Sequence, residues 1–273
     1  MANALILRKN VANLNATELA NLRDAYGKAQ QLTDNRGYAY QAGIHGYPQW
    51  FCWHHGRVRS GTNPRPVELF LPWHRAYLLI FEHAMRDRNP AAAVPWWDWT
   101  SLQSRTTGVP GAFTTQAVGG KANPLFRAQI PAPFNRPTRR FPGSPALLPT
   151  PAQITNLLGL PSFIDFSRQL EDIHDNIHGW TGGTAIVGGQ QIGGDMGTLV
   201  TAAYDPIFWS HHCMIDRVWY LWQLRNGANT IPTEYLNLAL APFPLRVRDV
   251  LDINALGYEY ASTGVSVPVS IPA

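Results

Sequence analysis

Charged residues are scarce in this 273-residue sequence, where they make up 15% against roughly 25% in an average globular protein. Hydrophobic residues make up 45% and aromatic residues 11%, the opposite of the balance that keeps a chain disordered. The 22 basic and 18 acidic residues give a formal net charge of +4, but no run of lysine or arginine accompanies it. The composition therefore indicates a folded chain and argues against a nucleic-acid partner.

Cysteines are also few: the sequence contains two, Cys52 and Cys213, which excludes a framework of several disulfides. No stretch of about 18 consecutive apolar residues occurs, so we expect neither a transmembrane helix nor a membrane partner. Residues 1–10 lack the apolar core of a secretory signal. The compartment stays open between the cytoplasm and export with the help of a partner.

Capping and breaking residues predict four main helices. Asn15 followed by Glu18 is a capping-box pattern, which typically starts a helix. Asn89-Pro90 is a stop signal, and Gly179 and Gly227 are placed to end two further helices. The predicted helices cover residues 16–32, 73–88, 161–178 and 206–226.

The segment 100–160 contains too many prolines for long helices, and we expect it to be mostly irregular. Its arginines are expected to lie on a solvated surface loop rather than to form an anion site: Arg127, Arg136, Arg139 and Arg140. The C-terminal segment is expected to be loop with a few short strands. The sequence therefore predicts a mainly α fold with long irregular loops.

The nine histidines matter through their spacing. His174 and His178 are four residues apart on a predicted helix, so their side chains share one face and can bind one metal ion. Glu171 lies on that face, where a carboxylate could orient a ligand or act as a base. His211 and His212 are adjacent on another helix, so both cannot easily bind the same ion.

Four further candidate ligands precede these in the chain: His45, His54, His55 and His74. Ligation by imidazole alone favours copper, zinc, iron or nickel over magnesium or calcium. Two groups of three histidines would make a binuclear site, although the spacing alone does not select copper.

Several longer motifs resemble those of tyrosinases and related type-3 copper proteins. Phe70-Leu-Pro-Trp-His74-Arg75 is similar to the signature of their first copper site. Asp205-Pro206-Ile-Phe208, followed by His212 and by Asp216-Arg217-Val-Trp219, is similar to the signature of the second. The segments that resemble the central part and the end of the family's catalytic core are His174-Asp-Asn-Ile-His178-Gly and Leu256-Gly-Tyr258-Glu-Tyr260.

This resemblance implies a four-helix bundle around a binuclear metal site, and a single tyrosinase-like catalytic domain over residues 1–273. It implies two copper ions as cofactors, each bound by three histidines, and O₂ as a co-substrate. The ligand sets that it implies are His45, His54 and His74 for one ion and His174, His178 and His212 for the other.

The middle ligand of the first site departs from the family's usual spacing. The region where it would normally fall holds Pro64, Arg65 and Pro66, so the ligand is sought in Cys52-Trp-His54-His55. Some fungal tyrosinases and molluscan haemocyanins have a Cys-x-His in which the sulfur is bonded to the ligand ring. That spacing favours His54 over His55 and makes Cys52 and His54 candidates for a thioether. The alternative is that Cys52 is a small buried hydrophobic residue.

The resemblance also implies an activity: use of O₂ to hydroxylate monophenols to o-diphenols and to oxidise o-diphenols to o-quinones. Phenols lose their proton near pH 10, so a base should help; Glu171 and Asp175 are the candidate catalytic residues, with Asp165 as the rival. Asp175 occupies a position where the family often has Asn. Gly179 and Met196 are candidate substrate-binding residues, with core packing as the alternative for Met196.

Other functions remain open on the same motifs. Catechol oxidases and o-aminophenol oxidases share the signatures without hydroxylating monophenols, and a haemocyanin-like oxygen carrier is the alternative outside enzymes. A mononuclear zinc hydrolase is disfavoured because six ligands are present and a His-Glu-x-x-His motif is not. Small phenols are the expected partners, and the resemblance leaves room for a separate copper-delivery protein.

Overall fold

Helices dominate the computed structural model, which describes residues 5–54, 68–227 and 230–262. The α-helices of these ranges are α1 (Ala16–Gln30), α2 (Tyr38–His45), α3 (Phe70–Arg86), α4 (Leu102–Thr107), α5 (Gly111–Thr114), α6 (Pro151–Leu158), α7 (Phe163–Gly182) and α8 (Ile207–Asn226). None of the described helices is long and apolar enough to cross a membrane.

The strands are short and form two-stranded ladders. They are β1 (Ile6–Arg8), β2 (Ala117–Val118), β3 (Lys121–Ala122), β4 (Gln129–Ile130), β5 (Arg136–Pro137), β6 (Thr184–Val187), β7 (Gln190–Gly193) and β8 (Tyr258–Tyr260). β1 pairs in parallel with β8. The other three pairs, β2–β3, β4–β5 and β6–β7, are antiparallel. The predicted fold class, mainly α with a few short strands, is confirmed.

Local capping signals were informative at two helix ends. Asn15 caps α1 by accepting a hydrogen bond from the Glu18 amide at 2.9 Å, and the Glu18 carboxylate accepts one from the Asn15 amide. At the other end of the chain, Gly227 follows α8 with a φ of 88°, a conformation that favours glycine. Both predicted boundaries are confirmed.

Two other boundaries were wrong. α3 begins at Phe70 rather than Trp73. Pro72 is tolerated in its first turn because main-chain N–H groups there make no hydrogen bond within the helix. α7 continues past Gly179 to Gly182. Gly183 ends it instead, with a φ of 54°, and a Cβ there would lie 1.8 Å from the Phe141 carbonyl oxygen.

The proline-rich segment is more ordered, and its arginines more engaged, than expected. Residues 100–160 contain three short helices and two β-ladders, none longer than the eight residues of α6. Arg136 binds Asp195 at 2.8 Å and Arg140 binds Asp205 at 2.8 Å, and both carboxylate side chains are fully buried. For these two arginines the solvated-loop expectation was wrong, because they bind carboxylates of the protein itself.

The core is built around large aromatic side chains. Seven tryptophans are at most 1% exposed: Trp73, Trp96, Trp97, Trp99, Trp209, Trp219 and Trp222. They fill the space around α3 and α8, as buried aromatic rings commonly do.

A buried charge network joins the two ends of the described chain to the central helices. Asp216 of α8 accepts a hydrogen bond from Arg75 of α3 at 2.5 Å, and it also accepts from the Tyr258 hydroxyl of β8 at 2.8 Å. Arg8 of β1 lies 3.3 Å from the same carboxylate and 2.9 Å from Glu82. Burial alone would raise the pKa of Asp216, but the two arginines outweigh it and hold that pKa below its usual value.

We expect Asp216→Ala to destabilise the protein by about 3–5 kcal/mol, because it leaves the buried guanidinium of Arg75 without its carboxylate and that of Arg8 with Glu82 alone. Asp24→Ala removes the exposed partner of Lys28 and should cost about 0–1 kcal/mol. Urea unfolding of both metal-free variants measures the difference. Similar losses for the two would contradict the role given to this network.

Candidate metal centre

Five segments of the chain deliver histidines to one buried region. His45 is the last residue of α2, His74 lies in the second turn of α3, and His54 lies in the segment after α2. His174 and His178 come from α7 and His212 from α8. His55 lies outside the described residues, so the choice between His54 and His55 stays a prediction.

The three predicted ligands of the second site converge on one point. The Nε2 atom of His212 lies 3.2 Å from that of His174 and 3.2 Å from that of His178. Three nitrogens bound to one ion at about 2.0 Å with tetrahedral angles would lie about 3.3 Å apart. The spacing of these atoms therefore fits a shared metal ion.

The predicted ligands of the first site form a second triangle. The ring centroids of His45, His54 and His74 are 5.5–5.7 Å apart in all three pairs. The two triangles meet where the His74 and His212 rings stack, with centroids 4.5 Å apart. The fold thus places two groups of three imidazoles side by side.

His211 also belongs to the histidine cluster. Its ring stacks on that of His174 with centroids 5.1 Å apart, and one of its nitrogens lies within 4.8 Å of a ring nitrogen of each of His174, His178 and His212. The paired 3.2 Å contacts, however, belong to His212. The geometry is consistent with the prediction that His212 is the ligand and His211 a neighbour, and that assignment stays a prediction.

Main-chain carbonyls fix the ring orientation of two histidines. The Nδ1 atom of His74 lies 2.8 Å from the Phe70 carbonyl oxygen, and that of His178 lies 2.8 Å from the Met196 carbonyl oxygen. A ring that donates from Nδ1 keeps the lone pair of Nε2 for a metal. Among the described residues, Nε2 of His74 is buried without a hydrogen-bond partner, which leaves its lone pair available to a metal ion.

The candidate carboxylates occupy different places. Glu171 is buried with Oε1 3.3 Å from Nδ1 of His54. Asp175 is 27% exposed, with Oδ1 3.1 Å from Nδ1 of His174. Asp165 is exposed in the first turn of α7, and it is not among the residues that line the cavity beside the histidines. The structure therefore brings Glu171 and Asp175 to the cluster and leaves Asp165 outside it.

A cavity of about 100 Å³ opens beside both triangles. His45 and His54 line it from one side and His174 and His178 from the other. Its remaining described walls are Asp175, Gly179, Met196, Gly197, Thr198, Leu199 and Ala202. A Cβ on Gly179 would meet nothing within 4 Å, so the approach on this side is open. Met196 is buried, and it both packs in the core and lines the cavity.

Cys52 is buried beside two of the histidines. Its sulfur lies within 4.8 Å of a ring nitrogen of His45 and of His54. The thioether to His54 stays a prediction, which an intact mass two hydrogens lower after copper loading would support.

Burial keeps five of these histidines uncharged. It lowers the pKa of His45, His74, His174, His211 and His212 well below the usual value, and the neighbouring histidines lower most of these further. Neutral imidazole is the form that binds a metal. The donor type and the neutral rings fit transition-metal ions of the kind that imidazole prefers, such as copper. At the second site the ring nitrogens also converge.

We expect the metal-free protein to lose stability as the pH falls below about 6.5. Histidines whose pKa is lowered in the folded state then bind protons in the unfolded chain only. Proton binding therefore stabilises the unfolded state relative to the folded state. Asp205 opposes part of this loss, because burial raises its pKa to about 6. Urea unfolding at a series of pH values measures the slope, and His174→Gln should make it shallower. A free energy of unfolding that does not change between pH 7.5 and 5 would contradict this.

Sequence reasoning missed Asp195 altogether. Its carboxylate is fully buried and binds Arg136, and its neighbour Met196 supplies the carbonyl for His178. The proline-rich segment gave no sign of this pairing, because the two residues are 59 positions apart.

Comparison with known proteins agrees with the geometry. A family model described as the common central domain of tyrosinase matches residues 35–225. Haemocyanin units G and H of Sepia officinalis are 31% identical over 250 residues, which cover 85% of this chain and 40% of that protein. Haemocyanin 1 of Megathura crenulata is 30% identical over 230 residues, covering 80% of this chain and 6% of that protein. The chain thus spans less than half the length of either haemocyanin.

Solved structures give the same picture. A functional unit of octopus haemocyanin superimposes with a TM-score of 0.75 at 28% identity, covering 93% of this chain and 68% of that one. The tyrosinase of Burkholderia thailandensis superimposes with a TM-score of 0.79, covering 96% and 75%; at 23% identity that likeness concerns the fold alone. Motifs, paired histidine triangles and the family model agree, and the chain belongs to the tyrosinase family of type-3 copper proteins.

Proposed function

We propose that this chain is a copper-dependent phenol oxidase of the tyrosinase type. It hydroxylates monophenols to o-diphenols and oxidises o-diphenols to o-quinones, with O₂ as co-substrate. The observation that carries the proposal is the cavity that reaches histidines of both triangles. At about 100 Å³ it has roughly three times the volume that one water occupies in the liquid, which is more than O₂ requires.

Six histidines hold the two copper ions in this proposal: His45, His54 and His74 in one site and His174, His178 and His212 in the other. The bound ions supply the activation of O₂ and the oxidation of the phenol. The protein supplies position, because each ligand ring is held by its neighbours inside the core. It also supplies a binding site for a single aromatic ring, well below the 300–1,000 Å³ of a typical drug-sized pocket. Substituents on the ring must therefore extend past Gly179 towards solvent.

The two carboxylates take different roles. Asp175 lines the cavity and is the group placed to take the proton from the hydroxyl of an incoming phenol. Glu171 is buried against His54, so we assign it the task of holding that ring rather than of meeting the substrate. Gly179 leaves room beside His178 for the ring, and Met196 forms an apolar wall.

An oxygen carrier is the second candidate. It is favoured by the sequence relatives described above, which are haemocyanins at 30–31% identity. A carrier needs the same two metal ions but no cavity for a phenol. Catechol oxidase and o-aminophenol oxidase are narrower forms of the enzyme proposal, without turnover of monophenols.

Oxygen uptake by the copper-loaded protein tests the proposal. We expect two copper ions per chain and continuous O₂ consumption with catechol. His212→Ala should abolish activity because it removes a ligand, whereas His211→Ala should reduce activity by at most about 10- to 100-fold, as the loss of a ligand's neighbour does. Stoichiometric, reversible O₂ binding without consumption of catechol would instead identify a carrier. One metal per chain would overturn the binuclear assignment.

Monophenols and diphenols should separate the roles of the carboxylates. Asp175→Ala should lower the rate with a monophenol by about 10²-fold or more, the lower range for loss of a general base, and affect the diphenol rate far less. Glu171→Ala should lower both rates, because it loosens His54. Asp172→Ala, which removes an exposed carboxylate from the same helix, is the control. Equal losses of both rates in Asp175→Ala would contradict its role as base. A wild type inactive on monophenols would be a diphenol oxidase.

A further inference from the structure

Asp195 is a fully buried carboxylate with every acceptor position in use. Oδ1 accepts hydrogen bonds from Arg136 at 2.8 Å and from the Thr201 hydroxyl at 2.7 Å. Oδ2 accepts from Arg136 at 2.8 Å and from the main-chain amide of Arg139 at 2.7 Å. A bidentate arginine pair of this kind fixes direction as well as distance. The carboxylate is therefore held rigidly.

The bond to Thr201 closes a loop of the chain, residues 195–201. Between its two ends, Met196, Gly197, Thr198 and Leu199 all line the cavity beside the histidines. The wall of the cavity on this side is therefore a short loop whose ends are joined through one carboxylate. Arg136, which belongs to β5, connects the loop to a strand that carries no histidine.

The same loop contacts both histidine triangles. The Met196 carbonyl oxygen accepts the hydrogen bond from Nδ1 of His178. Near its other end, the Val200 carbonyl oxygen accepts one from the Tyr47 amide at 3.0 Å. Gly46, directly after His45, packs so closely on the loop that a Cβ would lie 2.3 Å from the Leu199 carbonyl oxygen. The position of the loop thus determines where His178 and the end of α2 lie.

We propose that Asp195 and Arg136 are positioning residues for the second metal site. By fixing the 195–201 loop, they keep the Met196 carbonyl where it receives Nδ1–H of His178, so that Nε2 of His178 points at the metal. The proposal rests on the assignment of His178 as a ligand but not on phenol oxidation, and an oxygen carrier would need the same device.

Asp195→Asn tests this, because it keeps the size of the side chain and removes the charge that binds Arg136. Arg136→Lys is the milder second variant should the first fail to fold, since it keeps the charge and loses the bidentate geometry. Glu82→Gln is the matched control: it makes the same change of carboxylate to amide in another buried carboxylate that binds an arginine, Arg8, away from the loop. The protein is otherwise the full chain, loaded with copper alone.

Three measurements are made on each variant: copper affinity by competition with a chelator, urea unfolding of the metal-free protein, and histidine ring ¹⁵N NMR of the metal-free protein. We expect Asp195→Asn and Arg136→Lys to weaken binding of one of the two copper ions by about tenfold, the lower range for loss of a ligand's support. The signal of the Nδ1–H form of His178 should shift or broaden. Glu82→Gln should lower stability and leave both copper affinities unchanged.

Wild-type affinity for both ions in the two loop variants would overturn the proposal. So would an equal loss of copper affinity in Glu82→Gln, since the effect would then follow from stability alone. Catechol turnover plays no part in these measurements, so failure of the phenol oxidase proposal and failure of this one are separable.

Discussion

The structure depends on keeping a group of imidazoles uncharged and aligned in an interior that excludes water. A single protonated ring there would face several others at ring distances of 4.4–6.2 Å, with little solvent to screen it. Burial prevents protonation by lowering the pKa of His45, His74, His174, His211 and His212. Alignment needs a second device, because a neutral imidazole has one N–H that must be hydrogen-bonded elsewhere if the other nitrogen is to face a metal. Main-chain carbonyls supply it at His74 and His178.

One buried carboxylate next to the cluster is neutralised by partners from other parts of the chain. Asp216 lies one turn beyond His212 on α8, and its charge is matched by Arg75 and Arg8. Two tyrosine hydroxyls complete its hydrogen bonds. The parallel pairing of β1 with β8 carries Arg8 and these tyrosines to the same place. Neutralising that carboxylate thus also joins the two ends of the described chain.

Local chemistry could be predicted from the sequence, and long-range partners could not. The capping box at Asn15, the end of α8 at Gly227 and the shared face of His174 and His178 each depend on residues within a few positions of one another. Gly179 was mistaken for the end of α7 because the decisive contact, between Gly183 and the Phe141 carbonyl, comes from another part of the chain.

The same limit applies to charged groups at the candidate site. Glu171, Asp175 and Asp165 all lie near His174 in sequence, and only the fold shows that Glu171 meets His54 and that Asp165 stays outside. Arg136 lies in a proline-rich segment of the kind that is typical of exposed loops, yet it binds a buried carboxylate. Nothing in the spacing of residues records a partner 59 positions away.

The β6–β7 hairpin lies in the chain between His178 and the 195–201 loop. Its base is closely packed, whereas its tip is open. At the base, a Cβ on Gly182 would lie 2.2 Å from the Gly197 amide nitrogen, so the two chain segments pack without side chains between them. At the tip, a Cβ on Gly188 or Gly189 would meet nothing within 4 Å. Exposed turns of this kind accept inserted residues with little cost to the fold. The tip is accordingly a place where a longer sequence could be grafted without displacing His178.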